Sequence, residues 1–159
     1  MEEDEYKSTY NELAAVRCVF EKALSNSQGN RQVKCSLSQH FCLADREGYS
    51  CKNAQASIQC KIFLEQLREN SRFVLKLHEV NGPLPHNMEI RVQVGGLKGL
   101  AKLLDINEHK IKVDEPVTIG NINQIISAVK KQYGAASNLP YNKIIQSVVQ
   151  FQGRQRRQR

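Results

Sequence analysis

Cys35, Cys42, Cys51 and Cys60 recur at spacings C-x6-C-x8-C-x8-C, a fifth cysteine, Cys18, lies upstream, and none follows Cys60. Thiolates are ligands for soft metals, and four of them complete the shell of a zinc ion or an iron–sulfur cluster. Four gathered thiolates repel one another unless a cation neutralises them. The stretch therefore points to an iron–sulfur cluster or zinc held by Cys35, Cys42, Cys51 and Cys60, with Cys18 and His40 as reserve ligands. The paired knuckles of common zinc modules and the C-x2-C runs of ferredoxins are absent. The competing reading is that the thiols are core or redox groups, since cysteine is also a small, readily buried hydrophobe.

The spacing constrains how such a site is built. Cys35 and Cys42 on one helix would stand two turns apart, about 10.5 Å of rise, too far for joint ligation. A shared site needs a bend near Gly48 that brings Cys35 and Cys42 back against Cys51 and Cys60. Cys18 falls off the centre of its own apolar stripe, where it either flanks the core or faces the other thiols.

The N-terminal MEEDEYKST lacks the basic and apolar regions of a signal peptide. No apolar run approaches the roughly 20 residues that cross a bilayer. Both points suggest a cytoplasmic location, where thiols stay reduced. Five is an odd number, so complete disulfide pairing within one chain is excluded.

The chain has 159 residues, 40% apolar, and a mean hydropathy of -0.51. That composition suits a folded domain with a core of its own. Net charge is +7; the four acids among residues 1–5 and the four arginines of residues 154–159 cancel, so residues 6–153 keep the whole excess. A basic body favours polyanions, whether nucleic acid or an acidic protein partner. Arg154, Arg156, Arg157 and Arg159 form a polycationic tail suited to phosphate contacts. The tail has no aromatic residue to stack on bases.

Periodicity predicts a helix over 6–25, with Leu13, Val16, Phe20 and Leu24 on one face, and a breaker at 25–30. A short helix is expected over 36–47, stopped by Gly48. Asn53 is a candidate N-cap for a long helix over about 54–78, with Ala56, Cys60, Phe63, Leu67 and Val74 inward. Residues 88–94 alternate as a strand does, and 109–113 are a second strand candidate to pair with them. A short helix is expected between these, at 97–104, and two more over 119–133 and 140–151.

The predicted fold is mainly α, a helical domain of five to six helices with a small two-stranded antiparallel β element. Its divisions are an acidic end (1–5), one domain (6–153) holding the cysteine-rich segment 35–60, and the basic tail (154–159). Gly95 and Gly96 fall between the predicted strand and helix, where backbone N–H groups assisted by Lys98 would make a weak anion site. The dinucleotide and Walker patterns both fail there. No HExxH, GxSxG or papain-like cysteine context occurs.

Three functions follow. The first is a non-enzymatic iron–sulfur or metal-binding protein for redox sensing, electron transfer or cofactor handling. The second is a basic nucleic-acid-associated or assembly factor with structural cysteines. The third is a thiol-dependent enzyme, for which no base is located.

Overall fold

The computed structural model describes residues 3–5, 7, 17–26, 33–44, 46–107 and 119–151. Among them run α1 (Glu21–Asn26), β1 (Val33–Lys34), β2 (Ser38–Leu43), β3 (Arg46–Cys51), α2 (Ala54–Asn70), α3 (His86–Asn107), β4 (Gly120–Asn121), α4 (Ile122–Tyr133), a 3-10 turn (Ala136–Asn138) and α5 (Tyr141–Gln150). The fold is mainly α with a small two-stranded antiparallel sheet, β2 against β3. None of the described helices is long and apolar enough to cross a membrane.

That sheet lies where a helix was expected. Residues 38–43 and 46–51 form a hairpin in which Ser38 faces Cys51, His40 faces Tyr49 and Cys42 faces Glu47. Phe41 stands opposite Gly48, and a Cβ on Gly48 would come within 2.7 Å of the Phe41 ring. Gly48 is thus a strand residue that makes room for an aromatic ring, not a helix stop. The chain reverses earlier, where Ala44 takes φ 54.

The alternating stretch 88–94 is not a strand; it belongs to α3, the central helix. Val92, Gln93, Val94, Leu97 and Leu100 are all buried, because α2, α4 and α5 surround this helix. Two glycines set the closest approach. A Cβ on Gly95 would lie 2.7 Å from Val148 Cα, and one on Gly99 would lie 2.6 Å from the Ile144 carbonyl oxygen. The backbones of α3 and α5 therefore meet through a glycine seam. The second strand candidate, 109–113, lies outside the described residues.

A buried polar network ties α2 to α3. Arg68 Nε donates to Glu89 Oε1 at 3.0 Å and Oε2 at 3.1 Å, and its Nη2 also pairs with Glu89. Glu89 further accepts from Leu84 N and Gln93 Nε2, and Gln93 Oε1 accepts from Ala23 N at 3.0 Å. Every acceptor here is answered, as a buried charge requires.

The helix at 54–78 ends early. Ser71 is buried and its hydroxyl donates back to Leu67 O at 2.6 Å, an alternative to helical continuation. The predicted α4 and α5 are present with their apolar faces inward: Ile122, Ile125, Ile126 and Val129, then Tyr141, Ile144, Ile145 and Val148. Of the helix expected over 6–25, residues 6 and 8–16 lie outside the described residues, and residues 17–20 are not helical. Arg17 bridges Ser50 antiparallel, so this segment adds an extended edge to β3 before α1 begins at Glu21.

Candidate metal centre

Four chain segments bring one cysteine each to a single cavity. Cys18 is placed by its backbone N–H, which donates to Tyr49 O at 2.9 Å, and by buried Phe20 with Ala23 and Leu24 of α1, which anchor the residues that follow it in the core. Glu21 locks that entry: its carboxylate pairs with Arg17 and accepts from Tyr49 N at 3.3 Å.

Cys35 follows β1, which pairs parallel with β4, Val33 to Gly120 and Lys34 to Asn121. Asn121 has two partners. Its side-chain oxygen accepts from Asn123 N at the start of α4 and from Ser36 N at 3.3 Å, so the cap of a core helix also holds the residue after Cys35. Cys35 O then accepts from Ser38 N and Oγ, turning the chain into the hairpin.

Cys51 ends β3. Cys60 lies on α2, whose first turn is capped by Asn53 Oδ1 accepting from Ala56 N at 3.0 Å. Ala56, Ser57 and Cys60 are spaced for one face of α2, and all three line the cavity with Cys18, Cys35 and Cys51. Val19, Leu37 and Ile122 add apolar wall. A wider groove adjoins it, with Leu37, Ala56 and Asn123 lining both and Ile58 and Ile62 in the groove wall.

The thiols share an electrostatic environment. Burial pushes Cys18 up to about 12, opposed by a hydrogen bond from Phe20 N–H and helped by nearby Cys35 and Cys51. Burial likewise pushes Cys60 up to about 12, with Cys18, Cys35 and Cys51 adding to it. Without a cation, Cys18 and Cys60 are neutral thiols at pH 7. Among the described residues, no three His, Cys, Asp or Glu side chains are gathered tightly enough to hold one metal ion between them. Charge acts over longer distances than a metal–sulfur bond, so this mutual influence and the absence of close gathering are compatible.

Of the four ligands expected from sequence, Cys35, Cys51 and Cys60 share this cavity and Cys42 does not. Cys42 is exposed on the hairpin and donates to Ala44 O at 3.6 Å. The strand register explains this, since Cys42 pairs with Glu47 near the turn while Ser38 pairs with Cys51 at the open end. Cys18 occupies the fourth place. His40 is also outside the cavity; it pairs with Glu47 and its ring lies 5.1 Å from that of Tyr49. The signal for Cys18 in the sequence was its displacement from the apolar stripe.

The anion site expected at Gly95, Gly96 and Lys98 lacks its loop. All three lie inside α3, where backbone N–H groups serve the helix, and Lys98 stands 5.6 Å over the Phe151 ring. Arg154, Arg156, Arg157 and Arg159 lie outside the described residues. No family model, curated protein or solved structure matches the chain.

Proposed function

We propose that this chain is a non-enzymatic metal-binding protein whose centre is the thiol set Cys18, Cys35, Cys51 and Cys60. The observation that carries the reading is that four cysteines, each from a different segment, line one cavity. Buried cysteines serving only as core filler have no reason to gather, because apolar packing is non-directional and any small hydrophobe fills such a place. Metal binding gives the gathering a cause, since the cation offsets the repulsion that the ionised thiols would otherwise suffer. The segments joined are the edge beside β3, the loop after β1, the end of β3 and α2, so a metal here fastens the hairpin to the helical core. Among the described residues that line the cavity there is no His, Asp, Glu, Lys or Arg to act as a base toward the thiols, which favours a binding or electron-carrying role over catalysis.

The test is anaerobic purification of the full chain, elemental analysis and an absorption spectrum. Metal bound in a fixed ratio to protein, and lost when Cys60→Ser is made, supports the reading. Protein that carries no metal, and takes up neither zinc nor iron with sulfide, overturns it.

A further inference from the structure

A disulfide asks less of a cysteine cluster than a metal does, since two sulfurs must meet and not four. Cys18, Cys35, Cys51 and Cys60 are free cysteines that line one cavity of about 20 Å³. A water molecule needs roughly 10–15 Å³, so the space they border is that of about one water. Each cysteine sulfur turns on a single bond with three staggered settings, which lets it swing towards so small a space while the backbone stays in place. Burial is the main influence on the Cys60 thiol, and Cys18 comes next, ahead of Cys35 and Cys51. The influence of charge falls with distance, so this order selects Cys18 as the partner of Cys60. The two stand on separate supports: Cys18 on the edge beside β3, held by Tyr49 O, and Cys60 on α2.

We propose that this cavity is a site of oxidative modification, in which a small-molecule disulfide converts Cys18 and Cys60 into an intramolecular disulfide. No bound metal is needed. One of the two cysteines, as its thiolate, attacks a sulfur of the small disulfide, breaks its S–S bond and expels one small thiolate, which takes up the proton. The second cysteine attacks the mixed disulfide, the Cys18–Cys60 bond forms, and the other small thiol leaves with the second proton. The two cysteines lose two electrons, and the small disulfide is reduced to two thiols. Burial keeps both protein thiols protonated at pH 7, and since the thiolate is the attacking species the exchange is slow there. The bond fastens the edge beside β3 to α2. Where the thiol centre proposed above holds a metal, the same bond withdraws two of its four ligands, so oxidation and metal binding exclude one another.

Metal-free full chain, reduced under argon and freed of reductant, is incubated with glutathione disulfide at about pH 9, quenched with acid, and read by thiol count and peptide mass mapping. The expected result is a fall from five free thiols to three, one linked peptide pair joining Cys18 to Cys60, and return of all five thiols with dithiothreitol. The same link forms in Cys42→Ser. Five thiols remaining, glutathione held as a mixed adduct without an internal bond, or a link between any other pair overturns the proposal. These outcomes are read in the wild-type chain, so the decision does not depend on a variant that folds. Metal uptake is measured separately on the reduced chain. Protein that takes up no metal yet forms this bond loses the metal reading and keeps the disulfide; protein that binds metal and forms no bond does the reverse.

Discussion

Cys18 and Cys60 share one cavity, and a charge on Cys18 opposes ionisation of Cys60. This relationship joins the chain's N-terminal part to its second helix through chemistry and not only through packing. It makes the metal-free protein sensitive to alkali. Both thiols keep their protons in the folded state well above the ordinary value of 9.0, to about 12. Unfolding exposes them, so the unfolded chain binds fewer protons than the folded one between those limits. Stability therefore falls as pH rises from about 9 to about 12 and is insensitive to these groups below that window. Urea unfolding of the metal-free chain at stepped pH reads this directly. A midpoint that stays level across the window would show that the two thiols are already solvated.

The elements that carry a helical period were legible in the sequence, and those whose partners are remote were not. Ile122, Ile125, Ile126 and Val129 repeat at helical spacing and face the core as expected. Met88 to Val94 misled because α3 is surrounded. Its polar Glu89 and Gln93 are buried beside Arg68, so the polar positions that mimic the solvent face of a strand are inside. The hairpin was missed because its register rests on Phe41 seated over Gly48, a pairing across strands that local propensity does not contain. Three of the four cysteines singled out in the sequence, Cys35, Cys51 and Cys60, line one cavity, and Cys18 joins them there while Cys42 stays outside. Cys42 follows the spacing, but Cys18 arrives through a bridge between Arg17 and Ser50 that only tertiary contact reveals.

The Arg68–Glu89 pair gives a second prediction. The Glu89 side chain is 2% exposed and that of Arg68 11%, so removing the guanidinium strands a carboxylate without water to solvate it. Arg68→Met should lower unfolding free energy by about 3–5 kcal/mol, the usual cost of breaking a buried pair on one side. Chemical denaturation measures it. A loss below about 1 kcal/mol would place the pair in the solvated class and remove it as the tie between α2 and α3.

The glycine seam gives a third. Alanine at position 99 gains about 1 kcal/mol of helix propensity over glycine. Its methyl group, however, would lie 2.6 Å from the Ile144 carbonyl oxygen, a backbone atom that cannot rotate aside. Overpacking of this kind costs about 1–3 kcal/mol, so Gly99→Ala should be destabilising despite the better helix former. A stabilised Gly99→Ala protein would mean that α3 and α5 stand further apart.

The last prediction couples stability to metal. A metal bound only by the folded chain stabilises it by mass action, about 2.7 kcal/mol when free ligand is a hundredfold above its dissociation constant. Removal by a chelator should therefore lower the melting temperature of the wild-type protein. Cys60→Ser should melt at a lower temperature without chelator and show little further change with it, because its site is already broken. Cys42→Ser provides the contrast. Its residue is exposed near the hairpin turn, and its thiol donates to Ala44 O at 3.6 Å. A surface change of that kind shifts stability by no more than about 0.5 kcal/mol, and its response to chelator should match the wild type. Equal chelator responses in wild type and Cys60→Ser would detach metal from this cavity. A Cys42→Ser protein that loses its metal would move the centre to the hairpin face and return Cys18 to the role of a core residue.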